Sequence, residues 1–231
     1  MPAGLDVRAF CLEVVAATAD VAACYKPNIA FFERLGIPGL EALVDVMAAI
    51  RERGIPIILD AKRGDVPNTA AAYADAYFGG PFDVDALTVN ASVGLDALEP
   101  FVVRARERDR GVLVLLRTSN PGAALFQEAA EPILLGALRD EPTLGAVVGA
   151  TDATTGARLR RALPETFFLV PGFGAQGGAD LRAFFTGAGR GAVVNSSRSI
   201  LEAGYGRTDW KDAVRAAART AHETIERARR R

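Results

Sequence analysis

Ile55-Pro56-Ile57-Ile58-Leu59-Asp60-Ala61-Lys62-Arg63-Gly64-Asp65 is an apolar strand that runs directly into four charges. Side chains two apart on a strand share a face, so Asp60 and Lys62 are predicted to point together while Ala61 points away. Asp65 follows the turn at Gly64 and can swing back toward a neighbouring strand end. The lysine is unusual in this chain. Of twenty-seven basic residues only Lys26, Lys62 and Lys211 are lysines. A guanidinium keeps its proton near neutral pH, whereas an ammonium is a compact charge that can give one up. Lys62 is therefore read as a proton donor held among carboxylates, with Lys26 as a second ammonium beside Asp60. The competing reading of this Lys–Asp–Lys–Asp array is an ion network that only braces the strand ends.

Outward from this stretch, short apolar runs alternate with helical spacing. Strands are predicted near Val21–Lys26, Ile55–Lys62, Val84–Asn90, Val112–Arg117, Gly145–Ala150, Phe167–Pro171 and Ala192–Asn195. Helical patterns cover Gly39–Arg53, Asn68–Phe78, Gly94–Glu107 and Asp180–Thr186. Strands apolar on both faces belong to parallel sheets covered by helices, which leaves an open doubly wound sheet or a closed barrel. The polar residues decide between them. Lys26, Asp60, Lys62, Thr88, Asn90, Thr118, Ser119, Gln176, Ser197 and Arg198 lie at or just past strand C-terminal ends. Groups from so many strand ends converge only when those ends form a ring, so an α/β fold of the TIM-type β/α barrel is predicted. Seven strands are visible where eight are expected, and the shortfall is at the front.

Length and composition agree with one barrel domain over residues 1–231, half of them hydrophobic. Net charge is −1 with both signs interspersed, which argues against nucleic acid or another polyanion as partner. No apolar run is long enough to span a bilayer and no signal peptide is evident, so a cytoplasmic protein is expected. Cys11 and Cys24 are read as reduced, buried small hydrophobes. His222, the one histidine, is read as surface or packing on the last helix. Trp210 is read as an anchor for that helix.

A second constellation lies further along. Val170-Pro171-Gly172-Phe173-Gly174-Ala175-Gln176-Gly177-Gly178 follows the seventh expected strand, and Asn195-Ser196-Ser197-Arg198-Ser199 the eighth. Glycine-rich turns present backbone N–H groups to an anion, and Arg198 adds a bidentate grip. Loops after strands seven and eight are where barrels hold a substrate phosphate. A phosphorylated small molecule is the expected ligand.

The segment DAKRGD followed by VPNT resembles the signature of the orotidine 5'-phosphate decarboxylase family, bacterial type. The likeness continues through YKPNIAFFERLG (25–36), LLRTSNPG (115–122), GAVVGAT (145–151), VPGFGAQGG and NSSRSIL. The resemblance implies a β/α barrel, usually a homodimer, that needs neither metal nor organic cofactor. It also implies that Lys26, Asp60, Lys62 and Asp65 form a charged tetrad with Lys62 as donor. Asp65 and Thr69 match positions that reach into the partner subunit's site. Ser119 matches the pyrimidine contact, and Gln176 and Arg198 the phosphate grip. Asn90, at a strand end, is grouped with the substrate-binding residues. The implied reaction is decarboxylation of orotidine 5'-phosphate to UMP.

The front of the chain departs from that pattern. The family opens with a strand ending in an Asp that contacts ribose, and Gly4-Leu5-Asp6 only superficially matches its end. Val7–Ala19 reads as a helix capped by Asp6, which leaves the first strand missing or vestigial. Two competing functions follow. One is a UMP-binding barrel without catalysis. The other is a magnesium-dependent relative, such as a hexulose-phosphate synthase or keto-gulonate-phosphate decarboxylase, which needs a further acidic ligand; Glu33 is the nearest candidate.

Overall fold

The computed structural model describes residues 4–174 and 180–230, and the chain falls into two compact units. The first comprises the chain up to Ala61 together with Ser197–Thr224. It opens with α1 (Val7–Thr18), whose N-cap is Asp6: the carboxylate accepts the Ala9 N–H at 2.8 Å. The cap reading is thus borne out, and Gly4-Leu5-Asp6 forms no strand. The strand expected at Val21–Lys26 does not form either. Tyr25 and Asn28 make isolated parallel bridges to Ile57 and Asp60 instead. Pro27 is the reason, because it has no N–H to give a ladder and can only accept, from the Asp60 N–H at 2.9 Å.

Two helices follow, α2 (Ala30–Glu33) and α3 (Ile37–Arg51), the latter started by Pro38 in its first turn. Ala42, Leu43, Val46, Met47 and Ile50 recur at helical spacing and form the buried stripe of α3. Phe10 of α1 stacks on Trp210 with ring centroids 5.5 Å apart, and Val214 completes a cluster edged by Cys11, Val14, Ile200 and Leu201. Trp210 therefore anchors the last helix, as expected. Arg215 ties that helix to α1 by donating to Ala17 O at 2.8 Å and to Asp20 at 2.6 Å.

The second unit, Lys62–Ser196 with the residues from Ile225, carries the repeating strand–helix pattern. Strand β1 (Ile58–Arg63) ends in it. Then come α4 (Pro67–Tyr77), β2 (Ala86–Val89), α5 (Glu99–Arg108), β3 (Gly111–Arg117) and α6 (Ala124–Asp140). After these follow β4 (Leu144–Val148), α7 (Ala153–Ala162), β5 (Phe168–Pro171) and β6 (Ala192–Asn195). The sheet order is β1-β2-β3-β4-β5-β6, and the registered pairs from β2 to β6 are all parallel. Strands laid down in sequence order are the arrangement of a β/α barrel; a doubly wound sheet reverses order at its middle. The fold is of the β/α-barrel class. All five residues of β4 are buried, as a strand covered on both faces requires. The helix expected at Asp180–Thr186 shortens to a single 3-10 turn, Leu181–Phe184, capped by Asp180.

One buried cation holds the start of β5 and β6. Arg160 of α7 is 7% exposed and lies 3.7 Å from the Phe168 ring centroid. Its guanidinium donates to Phe184 O (3.0 Å), Leu163 O (2.9 Å), Thr166 O (2.7 Å) and Gly191 O (2.8 Å). Burial lowers its pKa to about 10, so the group keeps its charge at neutral pH.

Candidate active site

In the first unit Lys26 Nζ lies 2.6 Å from Asp60 Oδ2, with side chains only 7% and 12% exposed. The same oxygen accepts from Asn28 Nδ2 at 3.3 Å. Sequence reading missed Asn28, although it lies two residues past Lys26, which is the spacing that shares a strand face. The chain from Tyr25 to Ile29 follows β1 hydrogen bond by hydrogen bond: Ile58 N–H to Tyr25 O (2.9 Å), Asp60 N–H to Pro27 O and Ile29 N–H to Asp60 O (3.3 Å). That register is what delivers Lys26 to Asp60. Replacing Asp60 by Asn is expected to lower stability by roughly 2–3 kcal/mol, below the usual penalty for a broken buried pair because Asp60 keeps some solvent contact. Denaturant titration of Asp60→Asn checks this, and an unchanged midpoint would refute it. Arg198 lies exposed at the start of α8 (Arg198–Leu201). Glu33, the acidic residue considered for a metal, is exposed on α2.

The second unit holds the rest of the motif. Lys62 does not continue the pleat: its φ is 49°, one of two positive values among the described non-glycine residues. The left-handed region is costly for a side chain with a Cβ and tends to occur where function demands it. Lys62 is exposed, and its backbone N–H donates to Thr88 Oγ1 at 2.9 Å. The strand alternation from which Asp60 and Lys62 were expected to share a face meets a left-handed backbone at Lys62. The positive φ takes the backbone out of the β region on which the period of two depends.

Around that turn the ends of β1 and β2 are tightly apposed. Asn90 N–H donates to Arg63 O at 2.7 Å, and a Cβ on Gly64 would lie 2.2 Å from Asn90 O. Glycine is required there for close approach. The Asn90 side chain accepts the Ser92 N–H at 3.0 Å, which shapes its own loop. Asp65 is half-buried and accepts the Val66 N–H at 2.8 Å; Thr69 is half-buried in the first turn of α4.

Ser119 is exposed just past β3 on a short, braced loop. A register shift between Leu115 and Arg117 bends the strand before it. Gln127 accepts the Thr118 N–H at 2.9 Å and donates back to Thr118 Oγ1 at 2.8 Å. Beneath, buried Glu131 joins Arg158 and Arg117, the latter at 2.7 Å, and these guanidiniums, Arg158 foremost, hold its carboxyl below the usual carboxylate range. Ser196 Oγ donates to Phe173 O at 3.0 Å and so links the end of β6 to the turn after β5. Gln176 lies outside the described residues. Cys11 and Cys24, both free, are half-buried where burial was expected; desolvation still raises their thiols to about 11, so they stay protonated at neutral pH. His222 is exposed. Among the described residues no helix is long and apolar enough to cross a membrane.

The chain is similar to known proteins. The model of the orotidine 5'-phosphate decarboxylase / HUMPS family matches residues 2–213. The chain belongs to the orotidine 5'-phosphate decarboxylase family. It is 41% identical to orotidine 5'-phosphate decarboxylase of Rhodopirellula baltica, over 94% of this chain and 82% of that protein. It is 43% identical to the Deinococcus radiodurans protein of the same name, over 84% of this chain and 77% of that one. Among solved structures, Leishmania donovani OMP decarboxylase aligns with a TM-score of 0.81 at 36% identity, covering 97% of this chain and 88% of that one. The matched region contains the whole stretch from Lys26 to Arg198 on which the family's chemistry was expected.

Proposed function

We propose that this chain decarboxylates orotidine 5'-phosphate to UMP, with Lys62 as the proton donor. The observation that carries the reading is the β1 terminus: Asp60, paired with Lys26, stands two residues before a lysine whose backbone is left-handed within the end of the strand. Family membership supplies the substrate. The bond from ring carbon 6 to the carboxylate breaks, carbon dioxide leaves and the electron pair stays on carbon 6. An in-plane carbanion there has little resonance support, so a nearby ammonium lowers the barrier and then delivers its proton to that carbon. The neutral amine regains its proton from solvent. Ser119 would contact the pyrimidine, while Arg198 and Gln176 would grip the phosphate, whose binding energy serves the reaction at a distance. Asn90, whose backbone is held to Arg63, would complete the substrate-facing strand ends.

The same reading makes the protein a single β/α barrel that works as a homodimer, with Asp65 and Thr69 completing the partner's site. Purified protein is expected to release carbon dioxide from orotidine 5'-phosphate at a rate unchanged by a chelator. Dependence on magnesium would favour the metal-using relatives, and UMP binding without turnover would favour a non-catalytic barrel. Mixing two inactive variants, Lys62→Ala and Asp65→Ala, is expected to restore about a quarter of the sites, because half of the dimers are mixed and each then holds one intact site. No recovery on mixing would rule out sharing across the interface.

A further inference from the structure

The catalytic reading leaves unexplained why Lys62 has a left-handed backbone and what keeps it there. The residue cannot stay at a φ of 49° without support, since relaxation into the β region is downhill for any side chain bearing a Cβ. Support comes from β2. The Lys62 N–H meets Thr88 Oγ1 at 2.9 Å, and the next carbonyl along, Arg63 O, takes the Asn90 N–H at 2.7 Å. Gly64 then passes so close to Asn90 that no side chain fits. The kink is thus fixed by two residues of one neighbouring segment, one of them through a side chain.

That side chain is chemically conspicuous. Thr88 is 1% exposed and stands between Leu87 and Val89, both fully buried. Valine has the same shape and fills such a strand position without bringing a hydroxyl that must be satisfied. Packing therefore does not account for the oxygen. The Lys62 amide is one partner that oxygen serves.

We infer that Thr88 is a positioning residue: its hydroxyl holds the Lys62 backbone in the left-handed conformation and thereby aims the ammonium at the reacting carbon. This rests on the proposed decarboxylation for its kinetic consequence, though not for its structural one. Without the acceptor, the amide loses the bond to Thr88 and the Cα–Cβ bond of Lys62 swings as φ relaxes. A displacement of an ångström at the donor costs on the order of 100-fold in the chemical step, with little change in substrate binding.

The test compares Thr88→Ser, Thr88→Ala and Thr88→Val with the natural protein. Serine keeps the oxygen and loses the methyl, valine does the reverse, and alanine loses both. Expected is a kcat within about threefold of the natural value for Ser, and a fall of about 10–100-fold for Val and Ala, with KM steady within about twofold. A kcat order in which Val matches Thr while Ser and Ala both fall overturns the proposal, because the methyl then matters and the hydroxyl does not. Should Thr88→Val not fold, the Ser-to-Ala comparison decides alone: a large ratio supports the role and a ratio near one removes it. Amide hydrogen exchange at Lys62 gives a readout independent of activity, with protection kept in Ser and lost in Ala. If the natural protein fails to turn over orotidine 5'-phosphate, the catalytic reading falls, and the exchange pattern still decides whether Thr88 fixes the backbone.

Discussion

Replacing Lys62 with alanine is expected to abolish decarboxylation of orotidine 5'-phosphate while leaving UMP able to bind. The reason is that one group performs two tasks. As a cation it stabilises charge developing on carbon 6, and as an acid it supplies the proton that completes the product. Electrostatic stabilisation of this kind is commonly worth 100- to 1,000-fold and general acid catalysis a similar range, so a loss of about 10⁴-fold or more is expected. Binding of UMP draws on phosphate and base contacts made by other residues and should change by less than about tenfold. Steady-state turnover and UMP titration calorimetry on the same preparation measure both quantities. Near-normal turnover by Lys62→Ala would mean that the proton comes from elsewhere, and the assignment of the β1 terminus as the reacting centre would have to be abandoned.

The second large effect is on stability. Arg160→Met should lower it by about 3–5 kcal/mol, since several buried carbonyls lose their donor at about 1–3 kcal/mol each and partial rehydration offsets the remainder. Methionine approximates the volume, so the change isolates hydrogen bonding and charge from cavity formation. For a domain of this size the corresponding fall in Tm is about 6–20 °C. Arg160→Lys should recover little of it. One ammonium cannot reach the carbonyls of Leu163, Thr166, Phe184 and Gly191 at once, where the guanidinium does so while lying 3.7 Å from the Phe168 ring centroid. A thermal midpoint within about 2 °C of the natural protein would show that those carbonyls find other donors. Arg160 escaped the reading of the sequence. One arginine among twenty-four gives no sign that it is buried, and only the fold brings its carbonyl partners together.

Most of the strand–helix alternation was legible because it depends on local pattern. Apolar runs such as Val112–Leu116 and Phe168–Val170 are buried on both faces, and the stripe on α3 falls at helical spacing. The Asp6 cap was legible for the same reason, since a carboxylate three residues before a free N–H is a local event. The segment at Val21–Lys26 was misread because an apolar run looks like a strand, while its residues are at most half-buried and Pro27 restricts the ladder that would make it one. The Asp180–Thr186 segment was read too long: Phe184 and Phe185 are buried, yet the backbone turns only once. Asn28 was passed over because an asparagine after proline has the composition of an ordinary turn.

What the sequence determined by itself was which chemistry the chain carries. The order and spacing of Lys26, Asp60, Lys62, Asp65, Ser119 and Arg198 needed no coordinates, because motif spacing and side-chain chemistry are written in one dimension. What only the tertiary structure decided was the backbone conformation of the lysine. Its φ of 49° is stabilised by a hydroxyl twenty-six residues away on the neighbouring strand, and no local propensity of Lys62 encodes it. A backbone conformation that is unfavourable locally exists only where distant partners outweigh its cost, and those partners meet it only after the sheet has formed.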